Sequence, residues 1–471
     1  MVSSEAAPFA KTGGLADVVG SLPPALQALG DEVAVVLPRY ASIDLTHARR
    51  VWEHLWVHLG PAAFELTVYQ APADFPLFLV DCPALSAGRR KGLYGEGGAD
   101  YPDNHIRFAV FARAALEVAR HLFRTEIFHC HDWQAGLVPA YLRTTFAGDP
   151  TFMGCRTLFT IHNLGYQGLF PKRALVEAAL DPALFHLDGL EFFGQVSYIK
   201  SGIAFSDALN TVSPTYAREI QTLELGFGLD GALRARSGAL SGILNGVDYN
   251  EWSPEVDPLI PARYSAADLS GKEICKRKLI EEFGLPAAAM KRPLLGIVSR
   301  FTLQKGADLL EEVAAGIVEE DAYLAALGTG EPKYEDFFRQ MQREHPGRMA
   351  VRIGFDNGLA HRIEAGSDMF LMPSRYEPCG LNQIYSLKYG TVPVVRATGG
   401  LDDTVDAETG FKFTDYSGAA LLEAVRAAVK AFEDRDVWRQ RMRAGMQRDF
   451  SWTASAAAYS ELYRRLRAGT G

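Results

Sequence analysis

The sequence predicts an α/β fold with two Rossmann-like domains that face a central cleft. Short apolar runs recur along both halves of the chain, and helical patterns follow most of them, which is typical of parallel sheets with crossover helices. Several runs end in polar or glycine-rich loops, at the edge where open α/β sheets bind ligands. Each half also begins with a strand, a loop that carries lysine and glycine, and then a helix.

The first half of the chain predicts a sheet whose strands are connected by helices. Its opening residues, 1–5, have the character of a strand end, and the glycine loop at 10–14 leads into a helix at 15–22. Pro23 and Pro24 must kink or restart this helix, because proline has no amide donor. Further strands are predicted at 33–37, 77–80, 127–132, 157–161 and 208–213, and helices at 108–122 and 198–207.

The second half predicts another unit of the same kind. The first domain covers 1–246 and ends at the turn pair Asn245-Gly246, and a proline-containing linker covers 247–262. The second domain covers 263–450, and a C-terminal segment covers 451–471. Strands are predicted at 293–299, 323–327, 349–353 and 369–372, and helices at 308–313, 381–388 and 452–466.

Composition limits the class of protein and its partners. The 471 residues exceed one ordinary core, and 48% hydrophobic with 22% charged residues indicates a globular chain. A net charge of −9 argues against nucleic acid and membrane surfaces as partners. Five scattered cysteines without a Cys-x-x-Cys pair fit a reducing cytoplasm and give no zinc motif. We find neither an apolar run of roughly 18 residues nor a signal or transit pattern before Lys11, so we expect a cytoplasmic protein.

Glu377 is the first candidate functional residue. It follows the apolar run 369–372, which predicts a buried strand closed by Pro373, and a helix begins just behind it. A carboxylate at a strand's carboxyl end suits a sugar, and the amides of residues 380–382 suit a diphosphate. The alternative is an ordinary strand-to-helix turn, whose glutamate is solvated or caps the helix.

Other polar residues also stand at predicted strand ends. Arg300 and Lys305 flank one loop, where together they would clamp a phosphate, although each alone is typical of a solvated surface charge. Asp132 and His162 end two strands of the first domain. Asp132 alternatively caps the next helix, and a lone histidine is more often structural than catalytic. Lys11 adds a cation to the first glycine loop, which is otherwise a simple turn.

The segment 374–385, with the sequence SRYEPCGLNQIY, closely resembles the donor-binding loop of bacterial glycogen synthases and plant starch synthases, glycosyltransferase family 5. Related retaining transferases have a second glutamate eight residues after the first, but Tyr385 stands there in this chain, as in these synthases. The resemblance extends over nearly the whole chain. Its other matching segments are 11–15 (KTGGL), 131–133 (HDW), 162–163 (HN), 304–306 (QKG), 388–391 (KYGT) and 398–401 (TGGL).

The resemblance implies a GT-B-type fold whose C-terminal helix, 451–471, crosses back onto the first domain. It also implies retaining transfer of glucose from ADP-glucose to the non-reducing end of an α-1,4-glucan, as part of glycogen biosynthesis. Neither a metal nor a cofactor is implied. The residues that match catalytic positions of the family are Asp132, His162, Arg300, Lys305 and Glu377. Those that match donor-binding positions are Lys11, Gly14, Asp17, Asn163, Asn245, Phe355, Cys379, Gly380, Leu381 and Asn382, and those that match acceptor-binding positions are Tyr94 and Trp133.

Three rival functions remain open at this point. A hydrolase would use Asp132 and Glu377 as a carboxylate pair, but the phosphate contacts would then serve no purpose. A phosphorylase has a similar fold but needs a pyridoxal phosphate lysine, for which no motif is found. A non-catalytic glucan-binding protein predicts a broken phosphate clamp, whereas every matched polar position is intact. The residues do not separate ADP-glucose from UDP-glucose.

The opening residues carry one further expectation. Family members usually begin with several apolar residues before the Ser-Glu-x-x-Pro segment, whereas only Met1 and Val2 precede Ser3 here. The first strand of a doubly wound sheet lies in its middle and is buried on both faces. We therefore expect the natural start to lie about five residues upstream.

Overall fold

The computed structural model describes residues 1–86 and 90–469. The chain divides into two compact units. The first comprises Met1–Val212, Ala217–Gly246 and Trp452–Gly471, and the second comprises Ser213–Tyr216 and Val247–Ser451. The last two residues of the predicted segment 451–471 lie outside the described part of the chain.

The strands and helices alternate along most of the chain. The strands are β1 (Val35–Pro38), β2 (Arg49–Leu59), β3 (Ala62–Gln70), β4 (Leu77–Asp81), β5 (Gly95–Glu96), β6 (Ala99–Asp100), β7 (Ile127–His131), β8 (Arg156–Ile161), β9 (Leu169–Phe170), β10 (Glu191–Phe192), β11 (Gln195–Ser197), β12 (Ala208–Thr211), β13 (Leu240–Gly242), β14 (Leu294–Phe301), β15 (Tyr323–Gly330), β16 (Met349–Ile353), β17 (Met369–Met372), β18 (Val392–Arg396) and β19 (Phe411–Phe413). The helices are α1 (Gly14–Ala28), α2 (Pro83–Ser86), α3 (Asn104–His121), α4 (Asp132–Ala135), α5 (Leu137–Arg143), α6 (Ala174–Glu177), α7 (Tyr198–Phe205), α8 (Pro214–Glu219), α9 (Asp230–Ala235), α10 (Ser270–Phe283), α11 (Ala307–Glu319), α12 (Pro332–Glu344), α13 (Asn357–Gly366), α14 (Asn382–Lys388), α15 (Gly399–Thr404), α16 (Gly418–Glu433), α17 (Arg435–Met446) and α18 (Trp452–Ala468).

The main sheet of the first unit has two parts. One has the order β1-β4-β3-β2, and the other is parallel with the order β13-β12-β8-β7. Val2 connects them, because it forms parallel bridges with Val36 of β1 and Cys130 of β7. The predicted strands at 33–37, 77–80, 127–132, 157–161 and 208–213 are confirmed with shifts of one or two residues at their ends.

The antiparallel hairpin β2–β3 was not predicted. Most of β2 is exposed, so it lacks the continuous apolar run of a buried strand. Its end does carry a signal, because Leu55, Val57 and Leu59 are buried while the residues between them are exposed. Gly60 then turns the chain with a φ of +58°.

The sheet of the second unit is parallel throughout, with the order β16-β15-β14-β17-β18-β19. The four strands predicted here are confirmed as β14 to β17. β18 was not predicted because it contains Pro393, and β19 because it is only three residues long. The strand order runs outward in both directions from β14 and β17, so the order reverses between them.

The predicted helices are found near their expected positions, but not always with the expected extent or continuity. α1 is continuous from Gly14 to Ala28, so Pro23 and Pro24 do not restart it. α18 belongs to the first unit, as expected for a C-terminal helix that crosses back. It packs Trp452, Tyr459 and Leu462 into an apolar cluster that also contains Val18, Leu22 and Leu26 of α1. No helix in the described ranges is long and apolar enough to cross a membrane.

Candidate active site

The polar residues that follow β14 and β17 share one pocket in the second unit. The strand order reverses between these strands, and this is where open α/β sheets bind ligands. The pocket has a volume of about 330 Å³. The predicted functional residues that line it are Arg300, Lys305, Phe355, Glu377, Gly380, Leu381 and Asn382. Cys379 is not among the lining residues; it is buried beside them.

Lys305 and Glu377 form an ion pair inside this pocket. Nζ of Lys305 lies 2.9 Å from Oε1 and 2.6 Å from Oε2 of Glu377, and the Ser374 hydroxyl donates to Oε2 at 2.9 Å. Glu377 is therefore neither a solvated surface residue nor a helix cap. Gly306 permits the approach of the two loops, because a Cβ at this position would lie 2.1 Å from the Pro373 carbonyl oxygen.

The loop after Glu377 is held by side-chain amides. Asn382 donates from Nδ2 to the Val298 carbonyl at 2.7 Å, which ties the start of α14 to β14. Gln383 is fully buried, and its Nε2 donates to the carbonyls of Cys379 and Gly380 at 3.0 and 3.1 Å. The sequence pattern does not indicate this role of Gln383, since nothing in its spacing shows that the side chain turns back onto its own loop.

The segment Thr398–Leu401, which belongs to the family resemblance, lies directly behind this loop. A Cβ on Gly399 would lie 1.9 Å from the Glu377 carbonyl oxygen, and one on Gly400 would lie 2.0 Å from that of Cys379. The Gly400 amide also donates to the Glu377 carbonyl at 3.1 Å. The two glycines are thus required by the close approach of two backbone segments.

Arg300 and Phe355 stand at the rim of the same pocket. Arg300 lies near the end of β14 and is exposed, and its Nη2 donates to Gln304 Oε1 at 3.3 Å. Phe355 is 92% exposed, more than any other large hydrophobic side chain among the described residues. An exposed aromatic ring beside a pocket offers a face on which a planar ligand group can stack.

In the first unit, the glycine loop is organised around Glu5, which sequence analysis missed. One Glu5 carboxylate oxygen accepts from the amides of Thr12 and Gly13 at 2.6 and 3.2 Å. The other accepts from the hydroxyls of Thr12 and Tyr94 at 2.5 and 2.7 Å. These two amides are therefore already used within the protein. Lys11, which is exposed, pairs with Asp17 at 2.6 Å.

Asp132 and His162 are in direct contact. Oδ1 of Asp132 accepts the His162 amide at 2.7 Å, and Asp132 has a φ of +55°, uncommon for a residue other than glycine. Burial raises the pKa of Asp132 to about 7, against the opposing effect of the His162 and Asn163 amides. Burial lowers the pKa of His162 to about 3, so its ring is neutral at physiological pH. His131 contacts the same ring, with its Nδ1 3.0 Å from Nε2 of His162.

The remaining predicted residues of the first unit lie in different surroundings. Trp133 is buried and packs edge-on against Phe108 at a centroid distance of 4.8 Å, with the Tyr94 ring at 6.2 Å. Asn163 accepts the Gly165 amide at 3.0 Å. Asn245 is buried, and its Oδ1 has no hydrogen-bond partner within the described residues. Their donor- and acceptor-binding roles remain predictions.

Acidic and sulfur ligands do not gather into a metal site in the part of the chain that the structure describes. No group of three or more His, Cys, Asp or Glu side chains there is placed to hold a metal ion.

Protein-family models match both halves of the chain. Residues 1–235 match the starch synthase catalytic domain, and residues 281–444 match glycosyl transferases group 1. Curated relatives align over nearly the full length. The glycogen synthases of Koribacter versatilis and Anaeromyxobacter dehalogenans are 49% and 51% identical, over 99% of this chain and 97% and 98% of those proteins.

Solved structures agree with these matches. The catalytic domain of starch synthase IV from Arabidopsis thaliana, bound to ADP and acarbose, is similar with a TM-score of 0.89 and 32% identity, over 99% of this chain and 98% of that one. The sucrose-phosphate synthase of Thermosynechococcus elongatus has a TM-score of 0.61 at 20% identity, over 99% and 98% of the two chains, which is a likeness of fold alone.

Proposed function

The chain belongs to the glycogen and starch synthase family of GT-B glycosyltransferases, and we propose that it transfers glucose from ADP-glucose to the non-reducing end of an α-1,4-glucan, with retention. The observation that carries this proposal is the pocket at the strand reversal of the second unit, where Lys305, Glu377 and Arg300 meet. The ADP-bound state of the related starch synthase structure supports a nucleoside diphosphate as its ligand. We place the reaction in the cytoplasm, as the cysteine usage predicts.

In this proposal, Arg300 and Lys305 stabilise the ADP that departs. Negative charge develops on the diphosphate as the bond to glucose breaks, and preorganised cations that face this charge lower the barrier. The Glu377 carboxylate already fixes Lys305 in place. An ammonium group has three donors, so Lys305 can contact a phosphate oxygen without leaving Glu377. Residues 380–382 line the same pocket. In this proposal their backbone amides add neutral donors for the diphosphate.

Glu377 acts on the sugar in the same scheme. Its carboxylate binds glucose hydroxyls and offsets the positive charge that develops at the anomeric carbon. His162 contributes a hydrogen bond and no charge, because its buried ring is neutral. Phe355 provides an aromatic face for the adenine, and Lys11 adds a third cation for the phosphates, besides Arg300 and Lys305.

Product formation from nucleotide sugars tests the proposal. Purified protein with glycogen and ADP-glucose should release ADP and extend the α-1,4 chains, at a higher rate than with UDP-glucose. Lys305→Ala should abolish most of this activity. Lys333→Ala is a matched control, because Lys333 lies in the same unit but is 65% exposed and pairs with Glu311. Glucose release from glycogen without nucleotide sugar would indicate a hydrolase instead.

The proposal includes no metal and no bound cofactor. We therefore expect a chelator such as EDTA to leave the initial rate unchanged after prolonged dialysis. A loss of activity that Mg²⁺ or Mn²⁺ restores would contradict this part of the proposal.

A further inference from the structure

The proposed reaction uses His162, and a second histidine holds that ring. His131 ends β7, is fully buried, and directs its Nδ1 at Nε2 of His162 over 3.0 Å. We infer that His131 is a positioning residue that fixes the tautomer of His162, so that Nδ1–H of His162 is left to donate to a sugar oxygen. The tautomer follows from the structure of the first unit, and only the sugar contact rests on the proposed function.

The direction of the hydrogen bond decides the tautomer. A neutral imidazole has one donor and one acceptor, so either His131 donates to His162 or the reverse. Nε2 of His131 is buried and has no partner among residues 1–86 and 90–469. If His162 donated, Nε2 of His131 would carry a buried N–H without an acceptor, which is rare and costly. If His131 donates, Nε2 keeps only an unpaired acceptor.

The surroundings keep both rings neutral, as this argument requires. Burial, followed by the fields of His129 and His162, holds the pKa of His131 well below its usual range, and the Met1 amino group acts in the same direction. The His129 ring packs against His131 in a tilted arrangement, with centroids 4.0 Å apart and an interplanar angle of 34°. It cannot serve Nε2 of His131, because its own nitrogens are bonded to Tyr463 and Thr160 at 2.7 Å each.

Two residues that are neighbours in the sequence, His131 and Asp132, both hold His162. Asp132 accepts its backbone amide, and His131 occupies one nitrogen of its ring. In the part of the chain that the structure describes, no other group hydrogen-bonds to this ring, so Nδ1 is its available atom. The pair His131-Asp132 therefore fixes both the backbone and the ring orientation of His162.

Three variants separate positioning from simple packing. His131→Phe keeps a planar aromatic ring but removes the nitrogen that donates. His131→Asn restores a donor, because the asparagine Nδ2 can occupy the place of Nδ1. His105→Phe is the control, since His105 is another buried histidine of the first unit, with Nε2 bonded to Glu177 and Nδ1 unpaired.

Two readouts test the inference. ¹⁵N spectra of histidine-labelled protein, assigned with a His162→Gln variant, report which nitrogen of His162 carries the proton. We expect Nδ1–H in the wild type and in His131→Asn, and a shift towards Nε2–H in His131→Phe. Turnover should fall by on the order of 10-fold or more in His131→Phe, with a smaller change in KM for ADP-glucose, because a wrong tautomer removes a transition-state contact. His131→Asn should recover most of the loss, and His105→Phe should keep the wild-type turnover.

The outcomes distinguish this inference from the proposed function. An Nε2–H tautomer of His162 in the wild type, or wild-type turnover in His131→Phe, would overturn the inference while leaving the glucosyl transfer intact. A wild-type protein that has the Nδ1–H tautomer but forms no product from ADP-glucose would instead overturn the proposed function.

Discussion

At the residue scale, the Glu377 carboxylate is held in place by an ion pair with Lys305. Both of its carboxylate oxygens contact Lys305, and the Ser374 hydroxyl donates to one of them. Such a carboxylate is held in one orientation before any ligand arrives, so little reorganisation is needed when charge develops on the sugar. The charge of the residue, rather than its shape alone, should therefore matter.

We expect Glu377→Gln to lower turnover by about 10²-fold or more while ADP-glucose still binds, because the amide keeps the shape but loses the charge. Lys305 would then be uncompensated and would attract the diphosphate more strongly. Steady-state kinetics and calorimetric titration with ADP check this. Glu282→Gln is the control, since Glu282 pairs with Arg362 away from the pocket. Unchanged turnover in Glu377→Gln would refute the electrostatic role.

Arg300 is a second residue whose charge we expect to matter for turnover. Its guanidinium is exposed at the pocket rim, so Arg300→Ala should change stability little but lower turnover by about 10²-fold through the lost charge. Arg339→Ala, which removes an exposed arginine paired with Glu335 in the same unit, should change neither. Equal turnover of the two variants would show that Arg300 does not contact the phosphates.

The residues that could be predicted from sequence are those that follow strands. Arg300, Lys305 and Glu377 stand at the carboxyl ends of buried apolar runs, and parallel pairing brings such ends together. Glu5 and Gln383 were missed because their roles depend on contacts that no local pattern encodes. His131 was seen only as a neighbour of Asp132, since its partner lies 31 positions away.

At the element scale, the strand-reversal pocket depends on the approach of two loops at Gly306. We expect Gly306→Ala to destabilise the protein by about 3 kcal/mol or more, because left-handed backbone strain adds to a clash with the Pro373 carbonyl. Gly284→Ala is a close control: its φ of +66° is similar to the +75° of Gly306, but nothing lies within 4 Å of the added Cβ. It should cost only about 1 kcal/mol.

Chemical denaturation of both variants measures this difference. Gly306→Ala should also lose turnover per folded molecule, since Lys305 precedes the glycine directly. Equal destabilisation by the two substitutions would mean that the loop approach is not tight.

Strands with a strong apolar pattern were predicted well. Strands that depend on hydrogen bonds to a neighbouring strand were not. The buried parallel strands β14 to β17 have continuous apolar sequences, so burial alone identifies them. In the hairpin β2–β3, most of β2 is exposed, and β18 contains a proline. Both depend on hydrogen bonds to a neighbouring strand, which a local sequence pattern does not reveal.

At the scale of the whole molecule, buried histidines couple stability to pH. Burial lowers the pKa of His129, His131 and His162 in the folded protein. The unfolded chain, in which a histidine has a pKa of about 6.5, therefore binds protons first as pH falls. The stability that each histidine contributes above about pH 6.5 is lost below it. Asp132 acts oppositely, because its raised pKa of about 7 contributes stability at low pH that is lost as pH rises. Taken alone, these four groups would lower the free energy of unfolding by roughly 3 kcal/mol between pH 7 and pH 5. Glu364 of the second unit opposes them, because burial raises its pKa to about 8, so the wild-type curve should fall by less than this.

Urea denaturation across this pH range checks the prediction. The free energy of unfolding of His131→Asn should fall less steeply than that of the wild type, by roughly 2 kcal/mol over the same interval, because one titrating group is removed. Parallel pH curves for the two proteins would contradict a neutral buried His131.

The paired ends of the second unit have a consequence for the order in which the chain folds during synthesis. The Val247 amide donates to the Phe450 carbonyl at 2.9 Å, and Val247 pairs with Ser451, so the unit's main segment begins and ends at one place. The ribosome synthesises most of the first unit before the second. The core of the first unit nevertheless includes α18, which is translated last. At 5–20 residues per second, the ribosome takes roughly 10–40 s to make the intervening segment. Throughout that interval the apolar face of α1 lacks its partner helix, and the second unit is complete before the first.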